Sequence, residues 1–361
     1  MASGVVISGP FPSASARSEA ARVEPLADID YALDLRQLTT RFPSEDGPIM
    51  IVDNVSLSVR PGETLAVVGE SGSGKTMTFL SAIGLVPAPG KVVSGQVMFD
   101  GTDLLTLSME GLRRRRGAGV AMVFQDPLSG LNPVFPIGEQ IIEVLRAHRP
   151  IGRAEGRRRA IELLDRVQIP DPRRRVDDYP HQLSGGMRQR VLIAMAIALE
   201  PRVLIADEPT TALDVTVQAQ VLELLAGLRD ETGMAMVLIT HDLGLVARHA
   251  DRVAVMYAGR VVEEGTIDAV FKATAHPYTV SLFRSVPHLD ADSAVDLKAI
   301  EGQPPNPAFL PAGCAFEERC FLGAGREDCL RRAPALADTG AGDHRTACHH
   351  AAELRQREGR P

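Results

Sequence analysis

The apolar run Thr64-Leu65-Ala66-Val67-Val68 leads without a break into Gly69-Glu70-Ser71-Gly72-Ser73-Gly74-Lys75-Thr76, and no other stretch limits the fold of this chain so tightly. Five successive residues that tolerate burial suit a parallel strand covered on both faces, and Lys-Thr closes the loop where a helix should begin. This is a P-loop in its proper context. Gly69, Gly72 and Gly74 lack Cβ atoms, so the backbone can turn tightly and aim N–H groups at a phosphate chain at the helix N-terminus. Lys75 is expected to reach the β and γ phosphates, and the Thr76 hydroxyl to hold Mg²⁺. A glycine-rich turn can match such a pattern by chance, so the rest of the chain has to decide.

A chain of 361 residues, 45% hydrophobic and 24% charged, has room for one large domain and an appendage. Its net charge of −7, its 4% aromatic content and its lack of Trp argue against a nucleic-acid binder with a base-stacking platform. The arginine clusters at 113–116, 157–159 and 173–175 read as solvated faces or anion sites. No apolar run approaches the ~18 residues that a membrane helix needs. Residues 1–28 are rich in Ala and Ser, and Ser13-Ala14-Ser15-Ala16 looks like a cleavage site. Without a basic n-region, and with only Val5-Val6-Ile7 as an apolar run, this leader is expected to be a disordered tail. The chain is then expected to act in the cytosol, with its four cysteines as thiols or ligands.

Alternating residues from Leu33 to Val59 predict an antiparallel layer ahead of the P-loop strand, with a turn at Pro61-Gly62. Val97-Met98-Phe99 predicts another strand, and Ala121-Met122-Val123-Phe124 a short buried one that ends on Gln125. Between residues 131 and 180 the apolar spacing turns helical, at Ile141 and Leu145 and then at Ile161, Leu164 and Val167. Leu183-Ser184-Gly185-Gly186-Met187-Arg188-Gln189 opens a long apolar helix, where Ser184 is either a plain N-cap or an anion receptor. Val203-Leu204-Ile205-Ala206 predicts a second central strand. Asp207 and Glu208 at its carboxyl end suit Mg²⁺ binding and orientation of an attacking water, although capping alone is also compatible. His241 ends a third such strand, Met236 to Thr240, and a β-hairpin is expected over residues 252–263.

Together these residues resemble ATP-binding cassette (ABC) ATPases over residues 33–266. The resemblance implies an α/β P-loop NTPase fold with an antiparallel β subdomain, an α-helical subdomain near 131–180 and a small cysteine-containing C-terminal extension. The ATPase domain would span 29–272 and the extension 273–361. It assigns Gly69, Ser71, Gly72, Ser73, Gly74, Lys75 and Thr76 to Walker A, Gln125 to the Q-loop and Leu183 to Gln189, with Ser184, Gly185, Gly186 and Gln189, to the signature. Asp207 and Glu208 fall to Walker B, Ala212-Leu213-Asp214 to the D-loop, His241 to the switch histidine and Phe42 to an adenine-stacking aromatic. Catalysis then falls to Glu208, His241 and Gln125, and Mg²⁺ to Thr76, Gln125 and Asp207. The stretches around Phe124-Gln125-Asp126-Pro127-Leu128-Ser129, Ala206 to Gln218 and His276-Pro277-Tyr278 are similar to the oligopeptide/dipeptide import subfamily. That implies a peripheral subunit on the cytoplasmic face of the membrane. Its partners would be a second ATPase subunit in a head-to-tail heterodimer, two permeases and an external binding protein, with no nucleic acid. The same machinery could import nickel, glutathione or another small solute. A soluble cassette ATPase linked to nucleic acid would carry a long coiled coil or two cassettes, and neither is visible here.

All four cysteines, Cys314, Cys320, Cys329 and Cys348, follow the Pro-rich stretch Gln303-Pro304-Pro305-Asn306-Pro307, with five, eight and eighteen residues between them. That spacing names no metal, and His344, His349 and His350 leave zinc open beside free thiols. The resemblance implies a 4Fe-4S cluster on the four cysteines, as a structural or regulatory element remote from the ATP chemistry.

Overall fold

The computed structural model describes residues 31–45, 47–126, 130–211, 213–285, 300–340 and 342–357. The leader at 1–28, Pro127-Leu128-Ser129 and the D-loop Ala212 lie outside them. Strands β1 (Leu33–Phe42) and β2 (Ile49–Val59) pair antiparallel ahead of β3 (Thr64–Val68), the P-loop strand. Helix α1 (Lys75–Ala82) follows the loop, and β4 (Lys91–Phe99) then returns to pair with β1, while β5 (Thr102–Asp103) pairs with β4. The antiparallel layer expected ahead of the P-loop is therefore completed by strands from behind it, in the order β2-β1-β4-β5.

After α2 (Met109–Arg115), β6 (Val120–Val123) enters the second sheet. Three helices fill the next stretch, α3 (Ile137–Arg146), α4 (Arg153–Arg166) and the single turn α5 (Pro172–Arg175). Helix α6 (Gly185–Ile197) leads to β7 (Val203–Asp207), α7 (Val215–Thr232) to β8 (Ala235–Ile239), and α8 (Leu243–His249) to the hairpin of β9 (Arg252–Tyr257) and β10 (Arg260–Thr266). Parallel pairing joins β6, β7, β8, β3 and β9. Every residue of β3, β7 and β8 is buried, which is why these strands read as unbroken apolar runs. Their carboxyl ends carry the P-loop, Asp207 and the approach to His241 along one edge.

The chain beyond 273 is set apart by composition but not in space. Helices α9 (Ile267–Lys272) and α10 (Pro277–Arg284) follow β10, and after α11 (Glu327–Arg331) come β11 (Ala337–Asp338), β12 (His344–Thr346) and α12 (Ala351–Arg357). Strand β12 pairs antiparallel with β10, so the sheet runs β11-β12-β10-β9-β3-β8-β7-β6 straight through the expected boundary. The buried Glu263 of β10 ties this edge together. Its carboxylate accepts the N–H groups of Ala275 and His276, at 2.6 and 3.1 Å, and lies 2.8 Å from His344 Nε2. Val255, Val262, Tyr278, Phe316 and Leu354 share one apolar cluster, so the tail and the ATPase sheet have a common core.

Candidate active site

The P-loop is shaped by close approach. Gly69 has φ +148°, and a Cβ there would lie 2.2 Å from Met256 O at the end of β9; at Gly74, φ +98°, a Cβ would lie 2.6 Å from Ile51 O. No side chain fits at either position. Lys75 is buried and donates to Gly69 O at 2.8 Å and Glu70 O at 2.9 Å, and Ser73 Oγ is buried without a hydrogen-bond partner. A phosphate chain over the α1 N-terminus would satisfy both groups.

Strand β7 delivers Asp207 to this loop. Thr76 Oγ1 donates to Asp207 Oδ1 at 3.0 Å, which brings two of the three expected Mg²⁺ ligands together, while the third, Gln125, turns its amide to Glu208. Burial pushes the Asp207 carboxyl up to about 6, opposed by the Thr76 hydrogen bond and reinforced by the charge of Glu208. Burial also pulls the Lys75 ammonium down, against the pull of Glu208, Asp207 and Glu70. A divalent cation between Thr76 and Asp207 would supply the positive charge that this buried carboxylate lacks.

Glu208 follows in the left-handed region, φ 45°, a backbone strain that costs on the order of 1–3 kcal/mol. Three groups hold it. Gln125 Nε2 donates at 2.9 Å and Thr211 Oγ1 at 2.8 Å to Oε2, and His241 Nδ1 lies 3.3 Å from Oε1. The His241 side chain is 68% exposed and that of Glu208 16%, so the carboxylate is sheltered while the imidazole faces solvent. Such a carboxylate, beside a phosphate cradle and held from two sides, can orient a water for in-line attack. Thr211 is a site residue that the sequence reading did not single out, because a second Thr after Asp-Glu-Pro looks like ordinary turn chemistry.

Ser184, Gly185 and Gly186 face elsewhere. Ser184 caps α6 by accepting from Met187 N at 3.3 Å, and a Cβ on Gly186 would lie 2.5 Å from Val217 Cγ1 on α7. Asp214 caps α7 in the same way, accepting from Val217 N at 3.0 Å. Gln189 is 1% exposed within α6, and its Nε2 is buried with no hydrogen-bond partner among the described residues. Phe42, at the end of β1, lies with its ring against Gly90.

The tail reaches this site through residues other than its cysteines. Tyr278 Oη accepts from Glu70 N at 2.8 Å, and Arg319 pairs with the Glu70 carboxylate, so two tail residues touch the P-loop. The four cysteines line a single cavity with His276, Phe316 and Gly323. A Cβ on Gly323 would lie 3.0 Å from Cys329 Sγ and 3.3 Å from Cys320 Sγ, and backbone N–H groups donate to Cys320 Sγ and Cys348 Sγ. None of the four forms a disulfide. Burial pushes the Cys329 thiol up to about 11 and Cys348 up to about 12, so any metal held here must displace their protons. Of the nearby histidines, His344 is committed to Glu263 and His349 to Arg332 O, while His350 groups with Asp328 and Cys329.

Comparison with known proteins resolves which lineage built this site. The family profile described as ABC transporter matches residues 52–211, and the profile described as the oligopeptide/dipeptide transporter C-terminal region matches 262–329. The dipeptide transport ATP-binding protein DppD of Escherichia coli K12 is 47% identical over 318 residues, 88% of this chain and 96% of that one. This chain belongs to the ABC transporter family. Within it, the oligopeptide transport ATP-binding protein OppD of Mycobacterium tuberculosis is 49% identical over 317 residues, 88% of this chain and 51% of that longer one. Among solved structures, the ATP-binding cassette MJ0796, captured as a post-hydrolysis dimer with ADP and Pi, is 30% identical with TM-score 0.59 and covers 65% of this chain and 98% of its own. The ABC chain described here is thus an ATPase with an added tail.

Proposed function

We propose that this ABC ATPase energises import of di- or oligopeptides. It would sit on the cytoplasmic face of the membrane, paired head to tail with a second ATPase subunit, on two permeases fed by an external binding protein. The observation that carries the reading is the Thr76–Asp207–Glu208 line against an open P-loop, in a chain whose tail matches the oligopeptide/dipeptide transporter region. Ser184, Gly185 and Gly186 are consistent with completing the site of a partner, since Ser184 caps its own helix α6, a Cβ on Gly185 would meet Leu213, and one on Gly186 would meet Val217 of α7. No helix among the described residues is long and apolar enough to cross a membrane, so solute passage falls to other subunits. An apolar groove lined by Leu85, Met122, Phe124, Val144, Leu192 and Met195, beside Gln125 and under the helical insertion, supports docking of a permease segment there.

Cys314, Cys320, Cys329 and Cys348 fit a 4Fe-4S cluster in donor type, number and shared cavity. When bound, the cluster would cross-link the tail. Uptake of labelled dipeptides, oligopeptides, nickel and glutathione by a deletion strain, with and without this chain, tests the transport reading; loss of nickel or glutathione uptake alone would overturn the peptide assignment. Anaerobically purified chain should carry iron and sulfide near four each, as a Cys₄ cluster requires. Zinc without iron, or no metal, would dispose of the cluster.

A further inference from the structure

Glu70 is the one acidic residue inside the P-loop, and its charge acts on Lys75, the residue expected to reach the phosphates. Left unpaired, it would repel the ligand. Arg319 meets it in a fork, Nη1 to Oε2 at 2.7 Å and Nη2 to Oε1 at 2.9 Å. The guanidinium is itself fixed on all sides. Its Nε donates to Glu301 O at 2.9 Å, Nη1 reaches Tyr257 Oη at 3.1 Å, and its plane lies near the rings of Tyr257 and Phe316. The Arg319 side chain is 5% exposed and that of Glu70 25%. A fixed, shielded fork of this kind is far stronger than an exposed ion pair. From the same side, Tyr278 Oη takes the Glu70 N–H, and Pro304, Pro305 and Pro307 line a small cavity with residues 70–73 of the loop.

We infer that Arg319 and Tyr278 are positioning residues for ATP binding: Arg319 neutralises and orients Glu70, Tyr278 fixes its backbone, and the tail thereby sets the nucleotide affinity of the P-loop. The inference rests on the P-loop being an ATP site, which ATP binding by the unaltered chain tests separately. A structural tether predicts something different, because it would matter only through tail stability. Arg326 supplies the comparison: it makes a fork of similar length to Glu353, at 2.7 and 3.0 Å, wholly within the tail and more exposed.

The test is titration of the purified full chain with ATP and with ADP, without turnover, alongside its unfolding midpoint. Arg319→Met is expected to weaken both nucleotides about tenfold or more. Adding Glu70→Gln to that variant should recover most of the loss by removing the unpaired charge, a rescue that a mere tether would not give. Arg326→Met should lower the unfolding midpoint and leave nucleotide affinity unchanged. If Arg319→Met does not fold, Arg319→Lys and Tyr278→Phe decide, each with an expected loss of a few-fold. Unchanged affinity in Arg319→Met, or in both milder variants, overturns the inference, as does an equal loss in Arg326→Met or no rescue by Glu70→Gln. A chain that binds no ATP at all would remove the P-loop assignment with it.

Discussion

Glu208 concentrates the chemistry of the site in one strained residue, and its environment sets what each substitution should do. Glu208→Gln keeps the shape and the contacts to Gln125 and Thr211 but loses the charge that orients water, so ATP should still bind while turnover in the assembled complex falls about a hundredfold or more. Near-normal hydrolysis would reject the assignment. Asp207 makes a prediction with a definite sign. Its pKa in the nucleotide-free fold, about 6, lies above the ordinary 3.8, so the folded chain binds more protons than the unfolded chain between those values. Stability therefore falls as pH rises through that window and levels off above it. Asp207→Asn should stabilise the nucleotide-free chain more at pH 7 than at pH 4.5 in urea unfolding, and a gain equal at both pH values would contradict the burial argument. The positions of Asp207, Glu208 and His241 were legible because each lies at or just past the carboxyl end of a buried strand, and strand ends can be read from apolar runs. The burial of Gln189 was not legible, because helical spacing shows that a face is buried without showing which polar residues turn with it. Arg319 carried no signal at all, since a pair 249 positions apart exists only in the folded chain.

At the scale of elements, the short strand β12, between β10 and the edge strand β11, depends on its neighbour for its existence. Three residues have no periodicity to read, and His344–Thr346 is a strand because β10 offers it a ladder and Glu263 a buried acceptor. The composition change near 273 was visible, but whether the tail hung free or joined the sheet was decided by such pairings. Glu263→Leu removes the acceptor of Ala275 N, His276 N and His344 Nε2 at once, leaving buried donors unsatisfied. A loss of about 3 kcal/mol or more in unfolding free energy is expected, with β12 released first. Hydrogen exchange at residues 344–346 that stays as protected as in the parent chain would show that the edge does not hang on Glu263. The helical insertion was legible in outline from its spacing, because helices that pack on one side keep a clear apolar face.

For the whole molecule, the distribution of parts foretells dependence on a partner. The P-loop, Asp207 and Glu208 gather at one edge, while Ser184 caps its own helix α6 and Gly186 lies against Val217 of α7. Purified alone, the chain should be a weak ATPase whose specific activity rises with concentration or with added partner subunits. High turnover that is independent of concentration would contradict a composite site. The order of synthesis adds a further consequence. The ribosome makes Glu70 early and Arg319 249 residues later, and the strand that finishes the sheet, β12, later still. A nascent chain can assemble β1 to β9 around a P-loop whose clamp has not yet been translated. Nucleotide can stabilise the fold only in proportion to its affinity, so ATP would reward the finished protein far more than any of its growing forms.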